Sequence, residues 1–257
     1  MPTLLFLLAC RTIPDAPKDL DLLGSYLFEH FSQEDPLYME QGTGNLQDWI
    51  ASNREAVSEG YRIENLSREA ILDLGMSEDI SLEGLVGAAV ATDIHHSIET
   101  LIPVLLTTDP MELSPGSYGY FERTWNGDLD CFVQQECTHV EYEANLQNIL
   151  PLGIEVESSI KGQYQWIYID ERPFVAQRRW MTSSGTSNQD WLVIDQDYAL
   201  SIFLPTDNGM RFVDMEWVVT YLGDMPIPEN FALSLAIKAM QDGRKKAETF
   251  IDEQRNE

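Results

Sequence analysis

Positive charge is what this chain has least of. Its 257 residues carry 16 Lys and Arg against 43 Asp and Glu, a formal net charge of −27. The acids are spread along the chain and form no tail. Such a surface repels nucleic-acid phosphate and anionic lipid headgroups and favours solubility, so nucleic acid is the first partner class to be excluded. Histidine is scarce too, at four residues. His95-His96-x-x-Glu99 offers two imidazoles and a carboxylate within a turn. A metal needs three or four ligands and supporting partners, so this reads as an ordinary polar helix start and no metal is expected. Long apolar runs are missing, and Leu4 to Ala9 is far too short to span a bilayer. There is no Gly-x-Ser-x-Gly elbow, no His-Glu-x-x-His and no phosphate-cradling glycine loop. Hence no catalytic residue is assigned and an enzyme is not expected, although an acid–base pair built from distant residues would leave no such trace. Asp128-Leu-Asp130 and Asp195-Gln-Asp197 supply too few oxygens for calcium and read as solvated turns.

Only three cysteines occur. Leu7-Leu8-Ala9-Cys10 resembles the lipobox that ends a bacterial lipoprotein signal. That resemblance implies acylation of Cys10 and a place in the bacterial cell envelope, with membrane contact through the lipid alone. The plain alternative is an ordinary hydrophobic N-terminus. Cys131 and Cys137, with five residues between them, suit no familiar zinc motif. In an oxidising compartment they can close a short loop worth about 2.4 kcal/mol; in cytosol they would be two free thiols.

What is present is a core: 44 % of residues are hydrophobic, enough for one large domain or a domain with an extension. Residues 1–9 read as signal-like, 10–18 as a tether, 19–76 as a helical extension and 82–257 as the main domain. In the extension Leu20, Leu23, Leu27 and Phe31 repeat at helical spacing. Gly42-Thr-Gly44 reads as a break, after which Asn45 caps a second helix bearing Leu46, Trp49, Ile50 and Val57. Leu66 to Leu74 is a shorter helical piece. Leu85 to Thr92 is a buried strand. Ser97 can cap a helix with face Ile98, Leu101, Ile102, Leu105 and Leu106. Pro103 conflicts with it at about 3 kcal/mol, so the helix starts near Thr100 or kinks.

From Tyr118 the chain reads as strand after strand. Tyr118 to Trp125 meets an Asn126-Gly127 hairpin turn; strands over 131–146, 154–169, 174–180, 191–194 and 198–204 follow, with a polar loop at 183–190. Asp207-Asn-Gly209 turns into the strand from Phe212 to Tyr221. There Val213, Met215, Trp217, Val219 and Tyr221 are apolar while Asp214, Glu216 and Thr220 break the other face, the period of a half-buried strand. Gly223 to Pro228 stops the sheet, and a long helix follows. Its stripe Ala232, Ala236, Ala239, Gly243 and Ala247 permits either close packing or a cavity.

This order resembles the START-like superfamily, the helix-grip fold that also holds polyketide cyclases and coenzyme-Q-binding proteins. Three stretches carry the resemblance: Val86 to Asp109, Glu216 to Pro228, and Phe231 to Ile251. It covers residues 82–257 and implies an α+β fold in which a curved antiparallel sheet grips the long C-terminal helix around an apolar cavity. If register holds, Tyr164, Trp166, Trp180 and Trp217 share the inner face with Ala232, Ala236 and Ala239, as a core or as a pocket for a lipid-like ligand. Arg178 has the parity of Trp180 and must pair with an acid, meet a ligand headgroup or sit at the rim. Arg179 faces the other way and reads as solvated. The expectation is a carrier of a hydrophobic small molecule with no cofactor. A cyclase- or dehydratase-like enzyme, or an interaction lipoprotein with a filled core, are the alternatives.

Overall fold

The computed structural model describes residues 15–150, 153–223 and 231–254, the side chains of 231, 232 and 235 apart. The signal-like segment with Cys10, and most of the Gly223 to Pro228 corner, lie outside the described residues.

Helices α1 (Leu20–Glu29), α2 (Leu37–Ser52) and α3 (Arg54–Glu59) precede a short strand β1 (Tyr61–Ile63) and α4 (Arg68–Leu72). Strand β2 (Val86–Ile94) leads to α5 (Ile98–Thr107) and α6 (Pro110–Leu113). Strand β3 (Tyr118–Asn126), α7 (Leu129–Val133), β4 (His139–Leu150), β5 (Ile154–Ile169), β6 (Arg172–Met181), β7 (Thr186–Ser187), β8 (Val193–Thr206) and β9 (Gly209–Tyr221) follow, and α8 (Phe231–Gln254) closes the described chain. The fold is α+β, a curved antiparallel sheet with a long C-terminal helix and N-terminal helices. The strand order is β1-β2-β9-β8-β6-β5-β4-β3, with β7 paired to β5.

Both faces of this sheet are covered, and that fact governs everything about the site. One face packs against α1 and α2: Leu20, Leu23, Leu27, Phe28 and Leu46 meet Ala176, Trp180, Tyr198, Leu200, Met215 and Trp217 in one core. The other face packs against α5, α7 and the end of α8, joining Leu101, Ile102, Phe132 and Ile251 to Tyr142, Tyr164, Trp166, Phe203 and Phe212. Residues 19–76 are therefore one layer of the main domain's core. Alternation along a strand here sorts residues between two cores, where in a one-sided sheet it would sort core from water.

Several local expectations change. Gly42-Thr-Gly44 does not break the chain; all three lie within α2. A Cβ on Gly42 would lie 2.5 Å from Leu27 Cδ2, so the glycine lets α1 and α2 approach. Asn45 is mid-helix and donates to the carbonyls of Ala16 and Pro17, fastening the preceding segment. Helix α5 starts at Ile98 and runs through Pro103, because Ile98, Leu101, Ile102 and Leu106 are all buried and outweigh the lost backbone bond. The Asn126-Gly127 turn is no tight hairpin: Asp128 caps α7, accepting from Cys131 N, and β3 rejoins β4 beyond it at Asn126 opposite Glu141. Cys131 thus lies in a helix, bonded to Cys137.

Candidate functional site

Strand β9 sets the geometry. Val213, Met215, Trp217 and Val219 belong to the core shared with the N-terminal helices. The alternate residues Phe212, Asp214 and Glu216 therefore face α8. Their neighbours in register are Ala199 opposite Glu216 and Ser201 opposite Asp214 on β8, with Arg179 of β6 opposite Ala199. The concave face consequently carries charge in its middle.

The charges are arranged in pairs. Arg244 from α8 donates through Nε to Asp214 Oδ2 at 2.7 Å, and through Nη2 to Asp214 Oδ1 and to Ser201 Oγ. The Ser201 hydroxyl donates to the same carboxylate at 2.5 Å, and the guanidinium lies 4.2 Å from the Phe212 ring centroid. One ion pair with a stacking partner thus ties helix to sheet. Arg179 Nη2 donates to both oxygens of Asp197, at 3.3 and 3.2 Å. Asp197 raises the Arg179 pKa further, against the opposing effect of burial. Glu216 has no such partner: it makes no hydrogen bond or ion pair among the described residues. Burial, with Asp197 adding to it and Arg179 opposing, pushes its carboxyl up to about 8.

Arg179, Asp197 and Arg244 keep 31, 19 and 20 % of their side-chain surface exposed although they sit between the sheet and α8. Around them stand tyrosines whose hydroxyls burial keeps protonated. Gln177 Nε2 donates to Tyr142 Oη at 3.0 Å, and Tyr118, Tyr142 and Tyr164 all have raised pKa values, desolvation being the largest cause in each.

Two of the aromatics expected on this face are there. Tyr164 and Trp166 belong to the α8-side core, where Trp166 Nε1 donates to the Phe132 carbonyl at 2.9 Å. Trp180 and Trp217 are not. They pack against the N-terminal helices on the opposite face, and Trp217 Nε1 donates to the Glu64 carbonyl. Arg178 follows them to that face, where its partners Ser32 and Gln163 line a cleft. It donates to Phe28 O at 3.0 Å, Ser32 Oγ at 2.5 Å and Gln163 Oε1 at 2.8 Å, stacked over Phe31 and Trp180, and burial lowers its pKa to about 10. On α8, Ala236 is buried but Ala239 is exposed; the row turned inward is Ala236, Arg244, Ala247 and Ile251, which passes beside Ala239. The Ala232 side chain lies outside the described residues.

Sequence reasoning missed Arg179, Asp197, Asp214, Glu216 and Arg244, each read as solvated or unremarked. The available signal was the amphipathic extension itself: a second layer of helices must cover one face of the sheet, and it claims the more apolar parity. His95 and His96 gather no metal set, and no group of three or more metal-ligating side chains occurs among the described residues. His95 Nδ1 instead lies 2.9 Å from Glu248 of α8.

Two clefts open on the surface of the described residues. One, of about 640 Å³, lies between the α1–α2 connection and β4–β5, and its lining includes the expected Tyr164 and Trp166 beside Phe31, Met39, Glu40 and Gln163. The other, of about 310 Å³, lies where Arg54, Asp93, Arg211, Gln241 and Lys245 meet. Asp93 there receives hydrogen bonds from both Arg54 and Arg211, which satisfies that cluster internally.

No protein-family profile matches the sequence, and no curated protein does. Solved structures do. A STAR-related lipid transfer protein fragment from Xanthomonas axonopodis is 11 % identical, with a TM-score of 0.45 over 69 % of this chain and 99 % of that one. A START superfamily protein from Mycobacterium smegmatis is 10 % identical, with a TM-score of 0.39 over 66 % and 98 %. The Zhui aromatase/cyclase from Streptomyces sp. R1128 is 9 % identical, with a TM-score of 0.38 over 65 % and 91 %. The chain is thus similar to START-superfamily structures in fold alone.

Proposed function

We propose that this protein binds and carries a small molecule with an apolar body and a polar end, held in the seam between the sheet and α8. The observation that carries the reading is Glu216, an ionisable carboxyl without a hydrogen-bond or ion-pair partner among the described residues. It sits on a face whose other charged groups are paired yet still reachable. Glu216 is half-buried and no protein group occupies its carboxyl among the described residues, so a ligand group placed there adds an interaction without displacing one. The surrounding Tyr164, Phe203 and Phe212 supply apolar wall for the body of the ligand, each buried CH₂ adding about 0.8 kcal/mol. Solvent extraction of the purified protein followed by mass spectrometry tests this. A stoichiometric amphipathic compound is expected; repeated recovery of empty protein overturns the proposal.

Enzymatic turnover in the same seam is the second reading, favoured by the raised Glu216 pKa beside protonated tyrosines. Extracts of wild type and Glu216→Gln separate the two. The same compound from both supports a carrier, whereas a different, unreacted compound from the variant supports an enzyme.

The proposal includes export and anchoring through an acylated Cys10. The lipobox-like Leu7-Leu8-Ala9-Cys10 supports it, as does the Cys131–Cys137 bond, a kind of link kept in oxidising compartments. Expressed in a bacterium, wild type is expected to incorporate labelled palmitate and Cys10→Ser to lose it; unlabelled wild type overturns this part.

A further inference from the structure

Every acid on the seam face has a guanidinium partner among the described residues except Glu216. Arg244 is matched by Asp214 and Arg179 by Asp197, each guanidinium to one carboxylate. Around Glu216 the ionisable groups are Asp197 of β8, Asp214 of β9, Arg179 of β6 and Arg244 of α8. Both arginines are already engaged, so neither is free to serve as its partner. An anionic ligand would need a cation released from one of these pairs, and would stand beside a third acid. A cationic ligand group needs only Glu216. The whole chain points the same way: at a net charge of −27 its field draws cations toward the protein and drives anions off. The seam also has aromatic faces in Tyr142 and Tyr164, whose ring centroids lie 5.9 Å apart, beside a Trp125 ring on which the Arg123 guanidinium already stacks. Such faces accept a cation or its alkyl substituents.

We infer that the carried molecule bears a basic nitrogen, a protonated amine or an alkylated ammonium, which takes Glu216 as its counter-ion while the apolar remainder lies along the aromatic wall. This inference rests on the seam-binding reading above and adds the ligand's chemical class to it.

Three probes with one chain length test it: dodecylamine, dodecanol and dodecanoate, each below its micelle concentration. Calorimetry at about 0.15 M salt limits the reach of the acidic surface to about 8 Å. Dodecylamine is expected to bind at least about tenfold tighter than dodecanol, with dodecanoate weakest. Glu216→Gln should bring dodecylamine down to the dodecanol level and leave dodecanol unchanged. Loss of the preference in that variant also separates the seam from non-specific attraction to surface acids. A second readout is the proton. Glu216 is largely neutral near pH 7 when free, so pairing with an ammonium should release about one proton, seen as a dependence of the heat on buffer ionisation enthalpy. Glu216→Gln should release none. Equal affinity for amine and alcohol, or an amine preference that survives Glu216→Gln, overturns the amine inference and leaves the carrier reading standing. If none of the probes binds and extraction returns empty protein, the carrier reading itself fails.

Discussion

At the residue scale two arginines adjacent in sequence do opposite things. Arg178 points to the outer layer and holds the C-terminal turn of α1 through the Phe28 carbonyl, with Ser32 and Gln163 also accepting from it and its Nε left without a partner among the described residues. A cation at a helix C-terminus is favourably placed, and this one is buried with no carboxylate in contact among the described residues. Arg178→Met should lower unfolding free energy by about 2–4 kcal/mol in urea, and Arg178→Lys should not restore it, because one ammonium cannot reproduce three bonds and the stacking. Ligand recovery from the folded fraction should be unchanged.

Glu216 makes a different prediction, about pH. Its folded-state pKa, about 8, lies above its ordinary value of 4.5. The native state therefore binds the proton more tightly than the unfolded chain does. The stability from this group is full below about pH 4.5 and is lost as pH rises through about 8. Unliganded Glu216→Gln should be more heat-stable than wild type at pH 9, with the two converging toward pH 5. A wild type that holds its stability from pH 5 to 9 as well as the variant does would refute the burial argued here.

At the scale of elements, the junction of β2 and β9 is the tightest fit between sheet and extension. A Cβ on Gly87 would lie 2.6 Å from Trp217 Cδ1 and 2.8 Å from Ile63 Cγ1. Trp217 cannot yield, since it is fully buried and donates to the Glu64 carbonyl at 2.8 Å. Gly87→Val should cost about 1–3 kcal/mol by overpacking, read as a lower urea midpoint with an unchanged slope. The sequence showed the small residues of β2 as a buried strand but not what they touch, because Ile63 and Trp217 come from distant parts of the chain.

At the scale of the whole molecule, the N-terminal helices are structural. They bury Trp180, Tyr198, Leu200, Met215 and Trp217 of the sheet. Removing residues 19–76 would present that surface to water, far more than a soluble domain tolerates as one patch. The truncated chain should be insoluble, or should bind a hydrophobic dye and lose cooperative unfolding. A truncated chain that melts cooperatively at the parent temperature would contradict the shared core.

The sequence by itself determined the elements that local periodicity specifies: α1, the alternating strands β5, β6, β8 and β9, and the long terminal helix. Together with the resemblance in their order, these brought the α+β class into view. Tertiary structure alone decided which face of each strand meets which layer. A period of two separates alternate residues into two sets and carries no label for what covers either set. The extension took the more apolar set, Trp180 and Trp217 among it. Asp214, Glu216 and Arg179, which read as a solvated face, were left to line the seam. Long-range pairing also decided Glu216's character, because a carboxyl's pKa depends on the dielectric and the charges around it, and those arrive from strands and a helix far along the chain.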